Sequence, residues 1–297
     1  MRAVLAADIT RPSVMGIFDM QVFLLTALTM TAFASNSLLN RIGIAQFGMD
    51  PFDFAVIRTA AGAVMLWALV LMRSEARPPL LTSKRLAGAL ALAVYMIGFS
   101  WAYIALDAGL GALILFGVLQ VVVFGWAVIE GQAVPPLRWI GAGIALIGLC
   151  VLLWPAGSAA IPVLGALSMV AAGISWAAYT LLGRAEADPL GATASNFLLC
   201  LPLVALTLLA CNNHAMTSGG IITAIIAGAI TSGLGYALWY RVLPGLPTTV
   251  AGIAQLSVPV IAVAAGVALL DEILTARLMI AGTLVLGGIG VSLMTRR

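Results

Sequence analysis

Long apolar stretches separated by short polar breaks follow one another along the whole chain. A helix rises 1.5 Å per residue, so about 20 apolar residues cross the roughly 30 Å hydrocarbon core of a bilayer. The charge-free stretches and the turn residues between them predict ten helices of this length. Their predicted bounds are 21–40, 52–72, 85–106, 109–129, 137–154, 162–183, 191–211, 219–241, 247–269 and 275–294.

Two charge-free stretches are long enough to hold two helices each. The first is divided at Trp154-Pro155-Ala156-Gly157-Ser158 and the second at Asn212-Asn213-His214, because proline, glycine and asparagine favour turns. The other breaks are short, so successive helices are expected to run antiparallel. The pattern predicts a cytoplasmic tail over 1–20, a first five-helix unit over 21–155 and a second over 161–295.

Composition excludes a soluble fold. Apolar residues make up 63% of the 297 residues and charged residues only 8%, whereas a soluble domain carries roughly 25% charged residues. The expected fold class is therefore an all-α integral membrane protein whose surface contacts membrane lipid. The basic residues are too few and scattered to neutralise a row of phosphates, so nucleic acid is not an expected partner.

The basic residues predict the orientation in the membrane. With the N-terminus inside, only Arg41, Arg58 and Arg277 of the 14 lysines and arginines fall on the outer side. Basic residues collect on the cytoplasmic side of membrane proteins. Both termini are therefore expected to be cytoplasmic, in agreement with an even number of helices.

The two predicted units share a weak internal repeat. Leu38-Leu39-Asn40-Arg41 is echoed by Leu181-Leu182-Gly183-Arg184, and Asp50-Pro51 by Asp188-Pro189. A further series has similar order and spacing in both units: Glu130, Gly141 and Gly148 in the first, Glu272, Ala281 and Gly288 in the second. Because each unit has five helices, the two are expected to be inverted repeats around a central cavity, with substrate near the midplane.

Several segments resemble the drug/metabolite transporter superfamily, and most closely its ten-helix bacterial exporters of aromatic and other neutral amino acids. The segments are Asn36-Ser37-Leu38-Leu39-Asn40-Arg41, Pro51-Phe52-Asp53-Phe54, Arg58-Thr59-Ala60-Ala61-Gly62-Ala63, Leu269-Leu270-Asp271-Glu272-Ile273-Leu274-Thr275 and Gly287-Gly288-Ile289-Gly290. The resemblance implies an inner-membrane exporter working by alternating access. Ala34-Ser35-Asn36 stands where a tryptophan is frequent, and Asn40-Arg41 where lysine is more usual.

Polar side chains in the middle of the predicted helices are candidates for a substrate site, because lipid offers them no hydrogen bonds. Aromatic residues share helix faces with several of them. The predicted substrate-binding residues are Asn36, Tyr95, Phe99, Phe116, Gln120, Ser175, Trp176, Tyr179, Ser232, Tyr236, Trp239 and Gln255. Each has an alternative role in helix packing or at the membrane interface. Amides, hydroxyls and rings together suit a small amphipathic zwitterion.

Four residues are candidates for gating or bending. Arg58 either binds an anion or gates the path, or else extends outwards or pairs with Asp50 or Asp53, and the second interpretation is preferred. Gly233, Gly235 and Pro259 lie within helices, where they allow bending or close packing.

No carboxylate falls near a predicted midplane, and the only histidine, His214, lies in a predicted outer loop. A facilitator without proton coupling is therefore expected. The chain lacks the buried acids, histidines and metal ligands of membrane enzymes, so no catalysis, metal or cofactor is expected. A multidrug or metabolite efflux carrier and a lipid flippase remain alternatives, with an intramembrane enzyme a remote one. A monomer or weak homodimer is expected.

Overall fold

A computed structural model describes residues 14–73, 79–131, 134–154, 162–183, 186–210, 214–246 and 248–294. Within these ranges the chain forms ten long helices. They are α1 Val14–Arg41, α2 Pro51–Leu71, α3 Ser83–Ala102, α4 Ala108–Ile129, α5 Pro136–Leu153, α6 Val163–Gly183, α7 Pro189–Ala205, α8 Ser218–Val242, α9 Thr248–Leu270 and α10 Ala276–Leu293.

Irregular helical segments follow two of these helices and interrupt a third. A π-helical segment, Ile42–Gln46, follows α1, and a 3₁₀ segment, Leu206–Ala210, follows α7. The middle of α8, Ile226–Leu234, is also π-helical. Nine of these ten described helices are long and apolar enough to cross a membrane. In the tenth, α9, the apolar stretch is the shorter segment Ala254–Leu270.

The predicted all-α membrane fold is confirmed, with two notable shifts in helix bounds. Helix α1 begins at Val14 rather than at 21, and residues 1–13 of the predicted tail lie outside the described residues. Helix α3 ends at Ala102 rather than at 106, because the backbone from Tyr103 to Leu106 turns back with hydrogen bonds to residues 100–102. Asp107 then precedes the first turn of α4.

Short polar side chains fix several helix starts. Asp50 accepts hydrogen bonds from the backbone N–H groups of Phe52 and Asp53, at 2.8 and 3.2 Å. Thr82, Asp188, Thr217 and Thr275 cap α3, α7, α8 and α10 in the same way. Such caps satisfy backbone donors that have no partner within the helix.

The packing of the helices has the symmetry of an inverted repeat that relates α1–α5 to α6–α10. Helix α2 packs on its counterpart α7, α4 on α9 and α5 on α10. The remaining large interfaces occur in matched pairs. The α3–α6 interface corresponds to the α8–α1 interface. In the same way, the α4–α6 interface corresponds to α9–α1, and the α2–α8 interface corresponds to α7–α3.

Successive helices are antiparallel, so the molecule has two loop-bearing ends. The α1–α2 end holds the connections after α1, α3, α5, α7 and α9, and there Arg41 pairs with Asp107 at 3.4 Å. The α2–α3 end holds the connections after α2, α4, α6 and α8, and there Arg73 pairs with Asp188 at 2.8 Å. Each of these two ion pairs joins elements that are distant in sequence.

Candidate functional site

A cavity of about 250 Å³ lies between the two halves, with walls from α1, α3, α4, α6, α8 and α9. Nine of the twelve predicted substrate-binding residues line it. They are Asn36, Tyr95, Phe99, Phe116, Trp176, Tyr179, Tyr236, Trp239 and Gln255. The volume is slightly below the roughly 300–1,000 Å³ that is usual for small-molecule pockets.

The other three predicted residues are placed differently. Ser232 is fully buried behind the cavity wall, where its hydroxyl donates to Asn36 Oδ1 at 3.2 Å. Gln120 and Ser175 are only partly buried, on parts of α4 and α6 that do not line the cavity.

Aromatic rings form much of the cavity wall. The ring of Trp176 is at the centre of this aromatic cluster, with centroid distances of 4.8 Å to Tyr95, 5.5 Å to Tyr179 and 5.4 Å to Tyr236. Phe33, which is not among the predicted residues, extends the cluster at 5.6 Å from Tyr236. Rings at these separations attract one another and present faces on which an apolar or aromatic group can pack.

Asn36 joins the cavity to a buried polar network. Its side-chain oxygen accepts hydrogen bonds from Thr231 at 2.7 Å and Ser232 at 3.2 Å. One turn later on α1, the side-chain oxygen of Asn40 accepts from Ser100 at 2.9 Å. These contacts tie α1 to α8 and to α3, so that the amide of Asn36 is held in a defined orientation.

Arg58 does not extend outwards or pair with Asp50 or Asp53, so the preferred interpretation was wrong. Its side chain is fully buried, and Nη2 donates to the hydroxyls of Tyr95 at 3.2 Å and Ser232 at 3.4 Å. Close packing of α2 against α3 and α8 surrounds it with protein. The carboxylates of Asp50 and Asp53 have other partners: Asp50 caps α2, and Asp53 contacts His214.

The cavity is closed toward the α1–α2 end. There Asp53, whose side chain is fully buried, contacts His214 Nδ1 at 3.0 Å. The backbone N–H of Asp50 donates to the carbonyl oxygen of Ala215 at 3.0 Å. The ring of Phe47 packs on Gly219, where an added Cβ would lie 2.7 Å from the ring. These contacts bring the start of α2 against the α7–α8 connection and the start of α8.

The cavity extends toward the α2–α3 end, where Gly183, Glu186, Pro189, Tyr240 and Leu243 line it. This mouth was not predicted, because the candidate residues were chosen from the middle of the predicted helices. The repeated Asp-Pro motif was the one signal near it, since Pro189 belongs to the second copy.

Ion pairs surround the mouth. Glu186 lies 2.8 Å from Lys84 Nζ and 2.8 Å from Arg85 Nη2. Partial burial raises the pKa of Glu186, but the hydrogen bonds from these two bases outweigh it and the pKa is lowered. The hydrogen bonds from Arg73 lower the pKa of Asp188. Both carboxylates are therefore ionised at neutral pH, and each joins the α6–α7 connection to α2 or α3.

The predicted bending residues lie in irregular or tightly packed parts of the fold. Gly233 is within the π-helical segment of α8, where an added Cβ would lie 2.9 Å from Met65 Cγ. Gly235 begins the next α-helical turn, and Pro259 lies inside α9. π-Helical segments are frequent at functional sites, but a bending role for these residues stays a prediction.

Comparison with known proteins identifies the family. The EamA-like transporter family matches residues 163–294, which hold α6–α10. The uncharacterized protein PA1977 of Pseudomonas aeruginosa is 44% identical over 279 residues, covering 94% of this chain and 96% of that protein. The chain belongs to the EamA-like transporter family. This confirms the predicted membership of the drug/metabolite transporter superfamily.

A protein of known crystal structure has the same fold as this EamA-like transporter. The TM-score is 0.64 and the sequence identity 20%, over 90% of this chain and 98% of the other. The likeness at this identity shows the fold alone. The family consists of membrane transporters of small metabolites and not of enzymes, which agrees with the predicted multi-pass membrane protein without catalysis.

Asp53→Asn is expected to loosen the closed end of this EamA-like transporter. The substitution replaces the charged carboxylate that accepts the hydrogen bond from His214 with a neutral amide, which we expect to favour the open form by about fivefold, or about 1 kcal/mol given the exposed imidazole. The measurement is the rate at which a membrane-impermeant thiol reagent, added from the α1–α2 side, labels Ser37→Cys in a cysteine-free background.

Asp107→Asn is the matched control at the same end. Its carboxylate is half exposed and lies 3.4 Å from Arg41, so its loss should have little effect. Equal labelling in the Asp53→Asn protein and the parent would show that the Asp53–His214 contact does not hold this end closed.

Proposed function

We propose that this chain is an inner-membrane exporter of neutral amino acids, aromatic ones included, and of related small metabolites, working by alternating access. The observation that carries the proposal is the cavity between inverted halves, closed at the α1–α2 end and lined by an aromatic cluster with amides and hydroxyls. Inverted-repeat carriers bind substrate at such an interface and expose it to each side in turn.

The cavity chemistry suits an amphipathic zwitterion. The rings of Tyr95, Trp176 and Tyr236 offer faces for an apolar or aromatic side chain. The amide of Gln255 offers both donors and an acceptor for polar groups, and Asn36, whose oxygen already accepts from Thr231 and Ser232, offers its NH₂ donors. No cluster of basic side chains lines the middle of the cavity in the part of the chain that the structure describes, which disfavours a diphosphate substrate.

The distribution of basic residues supports a cytoplasmic location for the α2–α3 end and both termini. Arg73, Lys84, Arg85 and Arg138 all lie at that end. The cavity extends to the same end, so this conformation would load substrate from the cytoplasm. An exporter needs such a state at the start of its cycle.

A facilitator without proton coupling is the mechanism that fits the placement of the acids. Among the described residues, Glu186 is the one carboxylate that lines the cavity, and it lies at the mouth between two bases. Carriers driven by protons commonly use a buried acid or histidine on the path. We further propose that the carrier functions as a monomer or weak homodimer.

Uptake into proteoliposomes tests the proposal. We expect labelled phenylalanine, tryptophan and leucine to exchange across the membrane at least about tenfold faster than in protein-free liposomes, with no further rise when a pH gradient is imposed. A lipid-scrambling assay and an amphipathic drug cation serve as comparison substrates. Transport of the drug or the lipid with no transport of any amino acid would contradict the proposed substrate class.

A further inference from the structure

Arg58 has more hydrogen-bond donors than partners. Nη2 makes both of its hydrogen bonds, at 3.2 and 3.4 Å, while Nε and Nη1 are buried without a partner. Three of the five N–H donors of a guanidinium belong to those two nitrogens. A buried polar group without a partner is costly, and more so when it carries a charge.

No carboxylate of the described residues forms an ion pair with Arg58. The two aromatic rings near the guanidinium, Phe99 at 4.9 Å and Tyr95 at 5.5 Å, stabilise the cation only in part. A charge buried at membrane depth is expected to pair with an opposite charge or to serve a substrate path. The part of the chain that the structure describes supplies no such counter-charge, which leaves a ligand as the source that we consider.

The guanidinium lies directly behind the cavity wall. Tyr95 and Phe99, which it contacts, both line the cavity, and so does Asn36, which shares the hydroxyl of Ser232 with it. Rotation of the Tyr95 side chain would remove its hydrogen bond from Nη2 and free that donor of the guanidinium toward the cavity.

We propose that Arg58 is the binding site for the carboxylate of the transported substrate, which takes the place of the Tyr95 hydroxyl on the guanidinium. This inference rests on the proposed amino-acid substrate and names the group that recognises its anion. A carboxylate accepts two parallel hydrogen bonds from a guanidinium, a geometry that lysine does not reproduce. The aromatic cluster then holds the rest of the substrate, and molecules of similar shape without the anion bind less well.

Benzoate and benzamide, which have similar shape but differ in charge, provide the test. Titration of the purified protein in detergent micelles, followed by calorimetry, is expected to show benzoate binding about 10- to 100-fold more tightly than benzamide. Arg58→Gln should reduce this preference to less than about threefold. Arg58→Lys keeps the charge but loses the paired hydrogen bonds. Its preference for benzoate should lie between those of the parent protein and of Arg58→Gln.

Two further variants separate recognition from folding. Tyr95→Phe removes the competing hydroxyl and keeps the ring, so benzoate should bind as tightly as to the parent protein or more tightly. Arg138→Gln removes a partly exposed arginine at the start of α5, away from the cavity, and should leave the preference unchanged. If Arg58→Gln does not fold, Arg58→Lys still tests the inference through its reduced preference for benzoate, and Tyr95→Phe through benzoate binding that is not weakened.

The inference is overturned if the parent protein does not prefer benzoate, if the preference survives in Arg58→Gln, or if it is undiminished in Arg58→Lys. Its failure is distinguishable from failure of the proposed function, which is measured separately as phenylalanine exchange in proteoliposomes. Phenylalanine exchange without a benzoate preference would support the exporter function and contradict carboxylate binding by Arg58. A benzoate preference that depends on Arg58, without amino-acid exchange, would indicate another aromatic acid as substrate.

Discussion

Replacing Gly141 with leucine is expected to reduce the yield of folded protein at least about tenfold. Helices α5 and α10 cross at this glycine, where an added Cβ would lie against the carbonyl oxygen of Gly288 and 2.6 Å from the backbone nitrogen of Ser292. Overpacking a core against side chains already costs about 1–3 kcal/mol. A clash with backbone cannot be relieved by rotation of a side chain, so the two helices must separate.

The measurement is the monodisperse fraction on size-exclusion chromatography after membrane expression. Gly143→Leu on α5 and Gly287→Leu on α10 are the matched controls, because a Cβ at either position meets nothing within 4 Å. Both controls should give yields close to that of the parent. A normal yield of the Gly141→Leu protein would mean that α5 and α10 are not packed as described.

Trp176→Ala is expected to lower transport at least about tenfold while the protein stays folded. The indole contacts the rings of Tyr95, Tyr179 and Tyr236 and lines the cavity, so its loss removes the centre of the aromatic cluster. Aromatic pairs contribute about 0.5–1.5 kcal/mol each beyond the area they bury. The affected quantity is initial exchange of labelled phenylalanine in proteoliposomes, at equal amounts of reconstituted protein.

Trp126→Ala is the matched control for this experiment. Trp126 lies near the end of α4, is 45% exposed and does not line the cavity. Its removal should change transport less than about twofold, and Trp176→Phe should restore part of the lost activity. If the Trp176→Ala and Trp126→Ala proteins transport equally well, the aromatic cluster is not the substrate site.

Elements with local causes could be predicted from the sequence. The ten helices follow from the length of the apolar stretches, and several starts follow from capping residues such as Asp50 and Thr82. The repeat series also contains Gly141 and Gly288, which meet where α5 and α10 pack, although that contact was not predicted. The predicted features depend on neighbours in sequence or on a fixed helical period.

Features that depend on the rotation of each helix could not be predicted in the same way. Gln120 and Ser175 are polar and at the expected depth, but α4 and α6 present other residues to the cavity. Arg58 was expected to extend toward water, whereas the fold surrounds it with Tyr95, Phe99 and Ser232. The sequence pattern shows the depth of a side chain in the membrane, but not which neighbour it faces.

In the proposed transport cycle, the α1–α2 end must open for substrate to pass. Cysteines at positions 47 and 219, which are in contact across that end, can be joined by a short cleavable thiol cross-linker in a background without native cysteines. We predict that cross-linking abolishes phenylalanine exchange in proteoliposomes and that reduction of the linker restores it, while either single cysteine has no such effect. Exchange at the full rate with the cross-link in place would contradict alternating access through this end.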